Sequence, residues 1–357
     1  PWSWTPIAVN ARASGASMAT IKDVAARAGI SYTTVSHVVN NSRPVSAHVR
    51  RKVESAIAEL NYVPSAVARS LKARSTATIG LLVPNSVNPY FAELARGIED
   101  CCERNGYCVI LCNSDDDPQK QRNYLRVLLE KRVDGIVFAS VGGDAALTDM
   151  LAAVRTPMVI VDRGLHEVTA DLVCIDHEQG GYLATLHLLE LGHRAIACIS
   201  GPAHTHVAQL RMDGYHRALA EYGLQPAKGH VLHSDFTSPG GYRATVQLLA
   251  GERPTAIFAA NDMIGLGVLR AAAEQGIRVP EQLSVIGFDD IQLSRYVYPA
   301  LTTVGQRIGE LGESAAERLL VRIAGAAGTA ATQHIIAPQI VVRESTARYA
   351  GLPHELR

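Results

Sequence analysis

Polar and aromatic residues suited to gripping a small hydroxylated molecule stand near the ends of successive apolar runs in this chain. Asn88-Pro89-Tyr90-Phe91 follows the run ending at Pro84, Asp162-Arg163 follows PMVIV, and Arg211 follows the loop after CISGP. Asn261-Asp262 follows AIFAA, Phe288-Asp289-Asp290 follows LSVIG, and Gln306 follows LTTVG. Carboxylate, amide and guanidinium groups bond vicinal hydroxyls in pairs, while aromatic faces cover the C–H surface of a sugar ring. Taken singly, Asp162, Asn261 or Asp289 is equally a turn or N-cap residue, because Asn and Asp routinely end strands. The recurrence at strand after strand argues for a site.

The elements that must position these residues are short runs rich in β-branched residues: TIGLLVP, YCVILCN, VDGIVFAS, PMVIVDR, AIACISG, TAIFAAND and LSVIGFDD. Each precedes a longer stretch of helical pattern, which predicts α/β architecture with parallel sheets covered on both faces. Roughly 280 residues exceed one comfortable open sheet, so two similar lobes are expected. Ligands bind outside the carboxyl ends of strands in such sheets, and two facing lobes make a cleft there.

A different chemistry opens the chain. The formal charge of zero hides a basic head and an acidic body: residues 18–76 hold nine Lys/Arg against three acids, whereas residues 77–357 hold 24 basic against 31 acidic residues. Such a head fits a phosphate backbone. Thr20 is placed to cap a first helix with Asp23 in its first turn, and Ile21, Val24, Ala25 and Ala28 form its apolar stripe. Gly29 ends that helix, and Ser31 caps a second, the pattern of a helix-turn-helix. Val35 and Val38 point inward, leaving Tyr32, Thr33, Ser36 and His37 where base edges would lie. Thr20, Ser31, Thr34 and Asn40 complete the expected DNA-contacting set of the head. A third amphipathic helix is predicted from Ser46 to Leu60, and Pro64 starts a short helical segment, SAVARSLKA.

The order IKDVA, AGIS, TVSHVVN, ELNYVPSAVARSLK resembles the N-terminus of the lactose-repressor/galactose-repressor family, with its purine and ribose branches nearest and the ribose-operon branch preferred. The resemblance runs from Met18 to the C-terminus and implies a transcriptional repressor, not an enzyme, whose body has the periplasmic-binding-protein fold. It implies that Pro64 to Lys72 is a hinge helix lying in the minor groove. Leu71 would wedge a base step there, with Arg69, Ser70 and Lys72 beside it; unstacking a step costs a few kcal/mol, offset by wider contact with bent DNA. The implied division is 1–17 as a non-native or disordered extension, 18–63 as the helix-turn-helix domain, 64–77 as hinge and linker, and 78–357 as the effector domain. Within the last, one lobe spans about 78–177 and 306–336 and the other about 178–305 and 337–357, with crossings near His177, Gly305 and Ala337.

The expected partners are palindromic double-stranded DNA, a second copy of the chain, and ribose or a related pentose. The effector set is Asn88, Tyr90, Phe91, Asp162, Arg163, Arg211, Asn261, Phe288, Asp289 and Gln306. Arg163 carries the preference for ribose, since the purine branch has an aromatic residue there; the ribose branch implies induction and the purine branch corepression. A purine or other sugar is the alternative. A sugar hydrolase using Asp162 and Asp289 as a carboxyl pair is the rival class.

Other chemistry lacks its motifs. The chain has no GxxxxGK[ST], HExxH or GxSxG. His204-Thr205-His206 reads as a solvated loop with metal as the alternative, and Asp115-Asp116-Asp117 as a turn with calcium as the alternative. No cofactor is expected. Six cysteines without CxxC spacing read as reduced core thiols. No run approaches the roughly 20 apolar residues that span a bilayer, so a cytoplasmic protein without membrane contact is expected. The tail lacks leucine heptads, so no tail-mediated tetramer is expected.

Overall fold

Local sequence chemistry accounts for the first unit of the computed structural model, which describes residues 19–63, 75–139, 145–162, 168, 170–326, 328 and 330–351. Helix α1 (Ile21–Ala28) opens with a reciprocal capping box between Thr20 and Asp23 and closes on Gly29 at φ 65°. That left-handed conformation is open to glycine without steric cost. Ser31 caps α2 (Tyr32–Val39) at the Thr34 amide, and Ser46 caps α3 (Ala47–Glu59). Val24, Val35, Val38, Val53 and Ala56 close a small core of their own. The hinge expectation, with Arg69, Ser70, Leu71 and Lys72, lies outside the described residues, as do residues 1–18 and Arg163.

The second unit, Ala77–Arg357, contains two six-stranded sheets among the described residues. The first runs β2 (Cys108–Asn113), β1 (Thr78–Val83), β3 (Gly135–Ala139), β4 (Met158–Val161), β5 (Asp171–Ile175), β11 (Gln333–Ile336). The second runs β7 (Val231–His233), β6 (Ile196–Ser200), β8 (Ala256–Ala259), β9 (Ser284–Asp289), β10 (Thr302–Gly305), β12 (Gln339–Val341). All pairings are parallel except β10 with β12. Parallel neighbours require crossover helices, which here are α4 (Pro89–Arg104), α5 (Pro118–Glu130), α6 (Ala145–Ala153), α7 (His177–Glu190), α8 (His206–Glu221), α9 (Ser238–Leu249), α10 (Asp262–Glu274) and α11 (Ile308–Ile323). The chain leaves the first sheet after β5, returns after β10, and leaves again between β11 and β12.

Strands β5, β7, β11 and β12 are absent from the apolar runs read in the sequence. They are short or flanked by charge, and tertiary pairing defines them. Strand β2 departs from the expectation of burial on both faces: it is an edge strand with Ile110 and Leu111 exposed. Cys108 on the same strand is exposed too, whereas Cys101, Cys102, Cys112, Cys174 and Cys198 are buried free thiols. The expectation of core thiols therefore fails at Cys108, because an edge strand shows one face to water.

The seam between β5 and β11 rests on Asp171, 2% exposed, which accepts hydrogen bonds from Arg322 (2.7 and 2.8 Å) and from the Thr332 amide and hydroxyl (both 2.7 Å). Burial alone would raise its pKa, but these donors hold the carboxyl far below the ordinary range. A depressed folded-state pKa contributes stability above the unfolded value near 3.9, and that stability is lost as pH falls through the folded value. Asp171→Ala should destabilise the second unit by about 3 kcal/mol, because it removes the counter-charge of Arg322 at a largely buried seam and leaves only backbone carbonyls to take its donors. Denaturant unfolding at pH 7 measures this, and an unchanged midpoint would refute it.

Candidate functional site

The carboxyl ends of the two sheets face one another across a cleft of about 270 Å³. From the first lobe it is lined by Asn85, Asn88, Tyr90, Phe91, Asp116 and Asp162, and from the second by Thr205, Val207, Arg211, Phe236, Asn261 and Asp289. Seven of the expected effector residues thus share one cavity. Four of the lining residues arrive there through uncommon backbone geometry: Asp116, Asp162, Phe236 and Asp289 have φ of 57°, 70°, 59° and 118°. Non-glycine residues in this region are strained by of order 1–3 kcal/mol each, a cost that recurs at binding sites.

Arg211, 4% exposed, is the central cation. Its Nη1 donates to the Ala260 carbonyl (2.5 Å) and lies 3.5 Å from Asp289 Oδ1; its guanidinium sits 3.8 Å from the centroid of the Phe288 ring. Its Nε and Nη2 both point at His177 Nδ1, each at 3.4 Å. On the far side of that ring, His177 Nε2 is 2.9 Å from Asp162 Oδ1. The helices carrying His177 and Arg211 touch backbone to backbone. A Cβ on Gly181 would lie 2.0 Å from the Arg211 carbonyl oxygen, and one on Gly214 would lie 2.0 Å from that of Glu178.

Two expected effector residues do not reach the cleft. Phe288 and Gln306 are both fully buried. Phe288 supports Arg211 from below, its ring so close to Gly180 that a Cβ there would stand 2.6 Å away. Gln306 donates to Asp289 Oδ1 at 2.5 Å. Both support a cleft-lining group instead of being one. Asn261 lines the cavity, yet its amide is already engaged: Oδ1 accepts from the Ile264 amide (2.8 Å), and Nδ2 donates to the Phe236 carbonyl (3.2 Å). Asn88 likewise caps α4 at the Tyr90 amide (3.1 Å). The turn-and-cap alternative therefore holds for these two at the same time as cleft lining.

Sequence reasoning passed over His177, Phe236, Thr205 and Val207. Phe236 follows β7, whose three residues give no periodic signal; its ring lies on Gly201, where a Cβ would stand 2.0 Å away. His177 carries no signal in the sequence beyond its place at a crossing between the lobes.

Charge in the site is set by burial. Burial pushes Asp289 well above the ordinary carboxylate range; Arg211 opposes the shift, and Asp262 and Asp162 add to it. Burial raises Asp262 to about 7 although it accepts from the Thr303 and Ser294 hydroxyls and the Ile291 amide. Burial also lowers the pKa of His177. No group of three His, Cys, Asp or Glu among the described residues could hold a metal. His204 and His206 are exposed, and Asp117 caps α5.

In the head, Tyr32 (53% exposed) and Thr33 project freely from α2. Ser36 and His37 are half-buried; His37 Nδ1 meets the Ser42 hydroxyl at 2.8 Å, and Asn40 folds back to donate to the Ser36 carbonyl at 2.8 Å. Thr20, Ser31 and Thr34 are tied into cap hydrogen bonds. Lys22, Arg43, Arg51 and Lys52 are exposed.

A three-helix reading head and a two-lobed binding domain define a ligand-controlled DNA-binding regulator. The chain belongs to the lacI family of bacterial regulatory proteins, whose model matches residues 11–65, with a periplasmic binding protein-like domain matching residues 185–346. It is a DNA-binding transcriptional repressor and not an enzyme. It is 44% identical to the HTH-type transcriptional repressor PurR of Photobacterium profundum, over 86% of this chain and 92% of the relative. A structure of the Lac repressor dimer bound to operator and the anti-inducer ONPF superimposes with a TM-score of 0.82 at 32% identity, covering 92% and 99% of the two chains. A LacI family regulator from Enterococcus faecium with bound ribose gives 0.69 at 34% identity, covering 76% and 99%. No helix among the described residues is long and apolar enough to cross a membrane.

Gly181→Ala forces a methyl into the α7–α8 contact, so the helices must separate or the fold loses about 1–3 kcal/mol. Chemical denaturation beside the wild type measures the loss, and equal midpoints would contradict the contact.

Proposed function

We propose that this repressor responds to a purine base held between its lobes and that the base acts as corepressor. The observation that carries the reading is the pair of aromatic walls. Tyr90 and Phe91 line the cleft from one lobe and Phe236 from the other, with Arg211 and Asp289 in the same cavity. A flat heterocycle presents two faces for the rings and an edge of donors and acceptors for the guanidinium and the carboxyl. The likeness to PurR supports the same class and moves the effector away from ribose. Arg163, on which the preference for ribose rested, lies outside the described residues.

Ribose is the second reading. Asp162 and Asp289 line the cleft from opposite lobes as acid groups that can bond sugar hydroxyls, and the similar Enterococcus faecium regulator carries bound ribose.

On DNA, we infer a dimer on a palindrome, a reading supported by the likeness to the operator-bound Lac repressor dimer. Two copies of α2 would enter successive major-groove half-sites with Tyr32 and Thr33 toward the base edges.

Operator fragments selected from random DNA by the protein allow the direct test, binding at constant salt with hypoxanthine, guanine or ribose added. Purine should tighten binding about 10- to 100-fold, within the usual coupling of 1–3 kcal/mol. Weaker binding with ribose and no effect of purines would replace the first reading by the second. On the same fragments Tyr32→Ala should weaken specific binding about 5- to 150-fold, the 1–3 kcal/mol of one base contact. An unchanged affinity would remove Tyr32 from the reading surface.

A further inference from the structure

We propose that His177, a residue outside the cleft wall, is the positioning residue that fixes Arg211 against Asp162 and so sets the hydrogen-bonding geometry the effector meets. The proposal rests on the reading of this cleft as the effector site.

The donor inventory determines the state of the ring. A guanidinium can only donate, and two of its nitrogens, Nε and Nη2, are aimed at His177 Nδ1 at 3.4 Å. Nδ1 must therefore carry the lone pair, and the ring proton is on Nε2, which faces Asp162 Oδ1 at 2.9 Å and the Asp162 carbonyl at 3.4 Å. A neutral imidazole is the natural link here, accepting from a cation on one edge and presenting its N–H to the Asp162 carbonyl and carboxylate on the other. Protonation at Nδ1 would set two cations edge to edge. Burial, which disfavours the charged ring, supports the neutral form.

The mounting of the three residues gives the link its consequence. Asp162 ends β4 in the first lobe, Arg211 belongs to α8 in the second, and His177 is the first residue of α7, immediately after the chain has crossed between them. Gly181 and Gly214 hold α7 and α8 at backbone contact, so neither helix can slide without the other. The ring is also stacked on Phe288, centroids 6.1 Å apart, the same ring that underlies Arg211. His177 thus joins the ligand-facing groups of opposite lobes through a path that never enters the cavity.

Three substitutions separate this role from packing. Gln reaches both partners with an acceptor and a donor, Asn reaches one, and Leu neither accepts nor donates. Calorimetric titration of the full chain with hypoxanthine, and separately with ribose, should show H177Q within about threefold of wild type and H177N weaker by about tenfold or more. H177L should match or exceed the H177N loss. In R211M, adding H177N should cost less than it does in the wild type, because only the Asp162 half of the link is left to lose. Nitrogen NMR of the imidazole in the unliganded protein at neutral pH should find Nδ1 bare and Nε2 protonated. Should H177L fail to fold, the Gln and Asn pair still decides. Equal affinity of H177N and wild type, additive losses with R211M, or a proton on Nδ1 would each overturn the proposal. A wild-type protein that binds neither hypoxanthine nor ribose would overturn the effector-site reading itself, and the proposal with it.

Discussion

The body of this protein is organised around a guanidinium removed from water. A charge buried without partners costs several kcal/mol, so the neighbours of Arg211 are constrained before any ligand arrives. The Ala260 carbonyl, the Asp289 carboxyl and the bare nitrogen of His177 take its donors, and the Phe288 ring takes its face. Each partner imposes its own condition. Phe288 needs Gly180 beneath it, Asp289 needs Gln306, and His177 needs the α7–α8 contact that Gly181 and Gly214 permit. The glycines of α7 and the ends of β9 and β10 are thus tied to one side chain that reaches the cleft.

Much of this architecture was legible, for reasons that differ between elements. The caps Thr20 and Ser31 and the left-handed Gly29 are local chemistry, and a local rule reads them from a few residues. The buried apolar runs of β1, β3, β6, β8 and β9 announce parallel strands because both faces are covered. Strands β7 and β12 span only three residues each and draw their definition from a neighbour far away in sequence. Phe236, standing after β7, was lost with it.

The site shows the same division. Asp162, Arg211 and Asp289 follow apolar runs, and their chemistry marked them. Phe288 and Gln306 look alike in sequence, yet the first layer contains neither. Phe288 lies within β9 with its ring on the α7 side of the sheet, against Gly180, whereas Asp289, at the strand end with φ 118°, turns past it into the cleft. Neither the covering helix nor the positive φ is written in the local pattern of the run. The choice between a ribose and a purine effector is less legible still, because in the sequence it turns mainly on Arg163 and the Asn88–Phe91 segment, while Phe236, the aromatic wall of the second lobe, carries no local signal.

Positive φ at Asp116, Asp162, Phe236 and Asp289 adds a constraint that composition conceals. Four side chains are turned into one cavity by a backbone geometry that disfavours them, and Asp162 and Asp289 are acids held in a buried setting, the first beside His177 and the second beside Arg211. Such a cleft is held in place by surrounding packing more than by its own preferences. A ligand that meets both the acids and the rings does so only when both lobes contribute. The energetic benefit of binding then falls on the closed arrangement of the lobes, and a difference in ligand affinity between two arrangements is the quantity that can shift their populations.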